Sequence, residues 1–281
     1  MHDGITKTIV ITGASDGIGA AASKQLADTN TRLIIVGRSP EKTKKVAEEI
    51  GAEYHLTDFA HLDEVRELAI ALNESCERID VLANNAGGMF SGPTATTDGF
   101  ETNFQVDHLA PYLLTNLLID KLIESKAAVI NTSSLANSLY ANIDLNDLNN
   151  WQHFTPNKAY GDAKLANILF TKGLHDKFHN QGLSTVAFHP GIVATNFAAS
   201  SSDGNLRKLY HSAFKKFLTS AEDGGKRLRY FIEGKPNTDW ISGQYYKKPN
   251  KIGKTNKQAY DSHLIQEHWD ISAEMLGITW P

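Results

Sequence analysis

Six short apolar or β-branched runs punctuate the chain: TIVIT (8–12), RLIIVG (32–37), AEYHLT (52–57), DVLANNA (80–86), AAVINTS (127–133) and LSTVAFH (183–189). Each is continuous rather than alternating, as a strand is when both of its faces are buried. Between them stand stretches whose apolar residues recur at helical spacing: GIGAAASKQLADT, EKTKKVAEEI, LDEVRELAIALNES, FETNFQVDHLAPYLLTNLLIDKLIES and AYGDAKLANILFTKGLHDKFHN. Strand and helix therefore alternate, and the pattern predicts a doubly wound α/β fold, a single parallel sheet with helices on both faces. Residues 196–240 break the alternation with a polar, Gly/Ser-containing loop and an amphipathic stretch, NFAASSSDGNLRKLYHSAFKKFLTS. Ligands of open α/β sheets bind beyond the carboxyl ends of the strands, so this segment reads as a substrate lid, with an ordinary surface excursion as the alternative.

Composition narrows the picture. The chain has 281 residues, 41% hydrophobic and 21% charged, and no composition shift, repeat or low-complexity tract divides it, so residues 1–281 read as one domain. Its 28 basic and 32 acidic residues give a net charge of −4 and are spread along the chain, which advertises no basic face for nucleic acid or for an acidic membrane surface. A small-molecule partner is expected instead. Cys76 is the only cysteine, which rules out an intrachain disulfide, and no Cys/His cluster has zinc-ligand spacing. The apolar run near the N-terminus ends by Thr12, too short for a signal-peptide core or a membrane span. A cytoplasmic protein is the expectation.

The first strand leads directly into TGASDGIG, where Gly13, Gly17 and Gly19 flank Ser15, Asp16 and Ile18 at the opening of a helix. Glycines there allow positive φ and let the backbone approach a pyrophosphate, whose charge a helix N-terminus favours, so the loop reads as a dinucleotide site. The second strand ends in Gly37 where a ribose-binding carboxylate would stand, and Arg38 follows. A guanidinium at that place pairs with a 2′-phosphate, which favours NADP(H) over NAD(H); the alternative is a solvated surface arginine. Asp58, after the third strand, accepts from an adenine amino group or caps the next helix. Tyr160 and Lys164 are four residues apart in a helical stretch and therefore share a face, which taken alone is equally an aromatic packed inward beside a snorkelling lysine.

Five motifs in order resemble the short-chain dehydrogenase/reductase family over nearly all of residues 7–195: TGASDGIG, NNAG (84–87), NTSS (131–134), YGDAK (160–164) and HPGIVAT (189–195). FQVDHLAPYLLTNLL, DLNDLNNW and AYGDAKLANILF are similar to its retinol-dehydrogenase-like branch. The resemblance implies a Rossmann-type fold, NADP(H) as the favoured cofactor, and an apolar alcohol, ketone or aldehyde as substrate. It assigns Tyr160 as the proton donor to the carbonyl oxygen, Lys164 as the cation that stabilises the phenolate and holds the nicotinamide ribose, and Ser134 as the partner of the substrate oxygen. Ser134 is preferred to Ser133 because successive strand residues face opposite ways and the family serine matches the second. Asn85, Ala86 and Gly87, and Pro190, Gly191, Val193 and Thr195, are the other residues expected to border the cofactor. Family members commonly pair through their long helices, which implies a homodimer or homotetramer.

This chain departs from the family pattern in three places. Ser134 and Tyr160 are 26 positions apart, with LYANIDLNDLNNWQHFTPN between them, an addition that the branch is expected to carry. Ala163 replaces the serine before the lysine. Asp107 stands where the family has an asparagine that holds a water linked to the lysine. A carboxylate there accepts but does not donate when ionised and brings negative charge toward Tyr160, so Asp107 is expected to face Lys164 across a water and to raise the pH at which Tyr160 ionises. It also admits a second function, an NADP(H)-sensing binding protein with impaired catalysis.

Overall fold

The computed structural model describes residues 7–27, 30–192 and 219–281. The six expected strands form, the first two each one residue longer at the start and the other four trimmed at both ends: β1 Lys7–Thr12, β2 Thr31–Gly37, β3 Glu53–Leu56, β4 Val81–Asn84, β5 Ala128–Thr132 and β6 Ser184–Phe188. Helices α1 Gly17–Leu26, α2 Pro40–Ile50 and α3 Leu62–Ser75 alternate with the first strands as the periodicity requires. Two strands past the last apolar run, β7 Gln244–Lys248 and β8 Lys251–Ile252, complete a sheet of order β3-β2-β1-β4-β5-β6-β7-β8. All pairings are parallel except β7 with β8. β1 lies between β2 and β4, so the winding reverses there, and the crevice beyond the carboxyl ends of β1 and β4 is where such a sheet binds ligands.

Both faces of the sheet are buried, and consecutive strand residues serve opposite layers. Ile9 and Ile11 join Ile35, Ala83, Ile130 and Phe188 on one face, while Val10 joins Val36, Leu82 and Val129 on the other. At about 1.5–3 kcal/mol for each large side chain fully buried, these runs supply much of the drive to fold.

The region expected as a single helix over 100–125 is four pieces: α4 Thr102–Phe104, a π-helical turn Gln105–Leu109, α5 Ala110–Leu117 and α6 Ile119–Glu124. The amide of Ala110 reaches back five residues to the carbonyl of Gln105, which accommodates one extra residue in the turn. Pro111 then brings no N–H to the ladder. After β5 come the short α7 Ala136–Leu139 and the long α8 Pro156–Phe178, capped by the Thr155 hydroxyl. The added segment between them is fastened to α8 by two side chains bracketing Tyr160. Lys158 Nζ donates to the Asn142 carbonyl and the Asn150 amide oxygen, and Asp162 accepts from the Asn142 amide at 2.7 Å while pairing with Lys158. The long spacing is thus absorbed in a clasped loop and leaves the helix start intact.

Residues 196–218 of the expected lid, which hold its polar loop and nearly all of its amphipathic stretch, lie outside the described residues. Ala221–Glu233, in the remainder, is a helix, α9, whose Leu228, Phe231 and Ile232 are buried in the same core layer as Ile9 and Phe188. It packs against α1 and the sheet. The C-terminal helix α10, Ser262–Leu276, packs on α8, and its Trp269 carbonyl accepts from Tyr112 of α5 at 2.9 Å. Any pairing of chains through α5 and α8 has α10 in its way or includes it. Among the described residues no helix is long and apolar enough to cross a membrane.

Candidate active site

The turn after β1 is shaped by what it lacks. Gly13 has φ +66°, and a Cβ there would lie 2.6 Å from the Ala86 Cα; a Cβ on Gly19 would lie 2.7 Å from Asn85 Nδ2. Asn85 spends its amide on the carbonyls of Thr12 and Gly13, and the Thr12 hydroxyl accepts from the amides of Asn85 and Ala86. The NNAG turn is therefore a buttress for the glycine loop, with Asn85 fixing its shape. Ser15 and Ile18 are half-buried in the loop. Asp16 caps α1, accepting from the Gly17 amide, and takes a 2.7 Å bond from Lys42 Nζ of α2 that holds its carboxyl below the usual range.

At the end of β2 a Cβ on Gly37 would lie 2.8 Å from the Ser15 Cβ, so the acidic residue usual at this place has no room. Arg38 is exposed beside it. Asp58 does not cap α3; His61 occupies that position, and the Asp58 carboxylate instead closes a local turn by accepting from the Ala60 amide at 3.0 Å. Pro190 and Gly191 follow β6, with Gly191 at φ +107°, while Val193 and Thr195 lie outside the described residues. The bare, glycine-walled turn at the head of α1, with no side chain on Gly13, Gly19 or Gly37 to fill it, fits a dinucleotide.

The acid–base corner is built from β5, the π-turn and the first turns of α8. Tyr160 is half-buried, and the Lys164 ammonium lies 5.4 Å from its ring centroid, as the i,i+4 spacing requires. Lys164 is 3% exposed and Asp107 fully buried. Their separation, Nζ to Oδ1 3.4 Å, is a direct ion pair with no room for an intervening water, which corrects the expected water-bridged arrangement. The same Oδ1 accepts from the Gly88 amide at 2.8 Å, and Oδ2 is buried without a hydrogen-bond partner among the described residues. Burial pushes the Asp107 carboxyl up to about 6 against the opposing pull of Lys164. Gly87 leaves space for the pair, since a Cβ there would lie 2.9 Å from Lys164 Nζ.

The two serines, which follow the end of β5, make different contacts. Ser133 is buried and its hydroxyl donates to the Lys164 carbonyl at 2.7 Å, a structural tie between β5 and α8. Ser134 is half-buried, and its Oγ accepts from the Ala136 amide at 3.2 Å. Lys42 and Asn167 were not singled out by the sequence. Lys42 carries no motif, whereas Asn167 stands three residues past Lys164 on the same helix face, a spacing that does mark it.

Glycine loop, NNAG buttress, serine strand and Tyr-x-x-x-Lys helix together describe a nicotinamide-dependent oxidoreductase on a Rossmann-type sheet. The short chain dehydrogenase family model matches residues 7–206, and the chain belongs to that family. It is 36% identical over 286 residues to a candidate daunorubicin C-13 ketoreductase from Streptomyces sp. (strain C5), covering 99% of this chain and 96% of that one. It is 33% identical over 282 residues to retinol dehydrogenase 12 of Mus musculus, covering 98% and 87%. A solved structure of an uncharacterised protein from Mycobacterium paratuberculosis superposes with a TM-score of 0.78 at 27% identity, over 99% of this chain and 96% of that chain. The family uses NAD(P)(H) and acts on small-molecule alcohols or carbonyls.

Proposed function

We propose that this protein is an NADP(H)-dependent reductase or dehydrogenase of apolar aldehydes, ketones or alcohols, working in the cytoplasm with Tyr160 as its acid and base. The observation that carries this reading is the buried Lys164 ammonium 5.4 Å from the Tyr160 ring centroid, at the carboxyl edge of the sheet and beside the glycine loop. A bound nicotinamide supplies or takes the hydride. In reduction Tyr160 gives its phenolic proton to the carbonyl oxygen, and Ser134 donates a hydrogen bond to that oxygen as charge develops. A free phenol ionises near about 10, and the adjacent Lys164 cation stabilises the phenolate and brings that value down. Asp107, ionised above about pH 6, offsets part of the lysine's field and pushes the oxidative optimum upward.

Gly37 and Arg38 support the preference for the phosphorylated cofactor: no side chain fits at 37 to meet a free ribose hydroxyl, and a guanidinium stands next to it. Leu139 and Tyr140 at the end of α7, Trp151 in the added segment and Ile192 after Gly191 are 67%, 50%, 43% and 49% exposed, apolar surface that suits an apolar substrate. The direct Asp107–Lys164 pair favours one competitor, a binding protein that senses NADP(H), because it draws the lysine's charge from the phenol. A panel of aldehydes, ketones and alcohols with NADPH and NADP+, followed by absorbance of the reduced cofactor, separates the two. Turnover of apolar members is expected, with NADPH bound about tenfold tighter than NADH and most of that preference erased in Arg38→Ala. Tight NADPH binding without turnover across the panel selects the sensor.

A further inference from the structure

Asp107 lies in the π-helical turn Gln105–Leu109, and Pro111, two residues past the end of that turn, brings no N–H to the ladder. A side-chain donor from another element reaches the Asp107 carbonyl. Asn167 Nδ2, one turn beyond Lys164 on α8, donates to the Asp107 carbonyl at 2.9 Å and to the Thr132 carbonyl of β5 at 3.2 Å. The amide orientation is over-determined, since the flipped group would set its oxygen against two carbonyl oxygens. His108 fixes it further. Its imidazole is buried and neutral, its Nδ1 lies 3.2 Å from Asn167 Oδ1, and the only arrangement that satisfies both is an Nδ1–H donating to that oxygen. Asn167 is fully enclosed at 3% exposure, so each of these bonds is made out of reach of water.

We infer that Asn167 is a positioning residue of the active site, its side-chain amide holding the Asp107 turn against β5 and Lys164. The end of β5, two residues before Ser134, the turn that carries Asp107 and the helix that carries Tyr160 and Lys164 converge on one side chain. Each is set relative to the others by two hydrogen bonds from a single nitrogen. Asn167 does not touch the reacting atoms; it acts through the Asp107 backbone, and His108 acts through Asn167. The inference rests on the reductase reading above.

The test is Asn167→Leu, which keeps the volume and removes both donors, measured for kcat, KM, NADPH affinity and thermal midpoint. A displacement of about 1 Å at a site costs up to about a hundredfold in rate, so kcat is expected to fall between about tenfold and a hundredfold, with KM and NADPH affinity within about twofold of wild type. His108→Leu, which frees the amide without removing it, is a milder variant should Asn167→Leu fold poorly, and is expected to lower kcat less and in the same direction. Wild-type kcat in Asn167→Leu, or a loss shared equally by NADPH binding, overturns the inference. A wild-type chain that binds NADPH but turns over nothing overturns the reductase reading, and this inference with it.

Discussion

The turn after β1 and the corner at Asp107 lie at the same edge of the sheet, and they are held in opposite ways. The inner wall of the turn contains backbone, glycine and the neutral side chains of Thr12 and Asn85, and its shape follows from where a Cβ cannot go. The corner buries a carboxylate and an ammonium 3.4 Å apart, with one carboxylate oxygen lacking a partner among the described residues. A neutral steric wall depends on covalent geometry and is insensitive to pH and salt. A buried ion pair is costly to desolvate, responds to pH, and is tuned by every polar group around it. The two halves of the site should therefore fail differently when perturbed.

The largest effect is expected from Gly13→Val. Positive φ and a Cβ 2.6 Å from the Ala86 Cα combine strain and overpacking, about 4 kcal/mol in all, so the denaturation midpoint should fall sharply and NADPH binding should be lost. Gly51 is the control. It has the same φ of +66° with nothing within 4 Å, so Gly51→Ala should cost only about 1 kcal/mol, and equal losses at the two positions would remove the steric account of the turn.

The corner should instead show itself through pH. The folded chain holds the Asp107 proton more tightly than the unfolded chain, from an ordinary 3.8 to about 6, so the stability this group contributes is complete below about pH 3.8 and lost as pH rises through about 6. That span corresponds to about 3 kcal/mol, of which about 2 kcal/mol falls between pH 4.5 and 7.5. Asp107→Asn lacks this dependence. The buried histidines, His108, His189 and His268, are all pushed down by burial, the last two to about 4, and destabilise at acid pH in both proteins alike, so they cancel in the difference. Denaturant titrations should show the variant gaining about 2 kcal/mol on wild type between pH 4.5 and 7.5. A difference that is constant with pH would mean that the Asp107 carboxyl is not held up by burial.

The same contrast explains what the sequence disclosed. Steric motifs are written in residue type, so the glycine loop, the strand ends and the Tyr160–Lys164 face were legible before any coordinates. Just past β5, Ser133 turns inward to the Lys164 carbonyl, while Ser134 is half-buried with its Oγ on the Ala136 amide. The direct Asp107–Lys164 contact was not, because it depends on a π-turn that shifts the register of its helix by one residue, and periodicity does not report such a shift. β7, QYYKK, and β8, KI, are too short and too polar at their exposed ends to stand out from a loop.

In the proposed mechanism Tyr160 exchanges the proton with substrate while the rest of the site holds it in place. The most direct measurement is single-turnover reduction of an apolar aldehyde by enzyme saturated with NADPH, comparing wild type with Tyr160→Phe. Loss of one positioned acid is expected to slow the chemical step by about a hundredfold or more while leaving NADPH affinity and the denaturation midpoint unchanged. A Tyr160→Phe protein that reduces the aldehyde at the wild-type rate would contradict the claim.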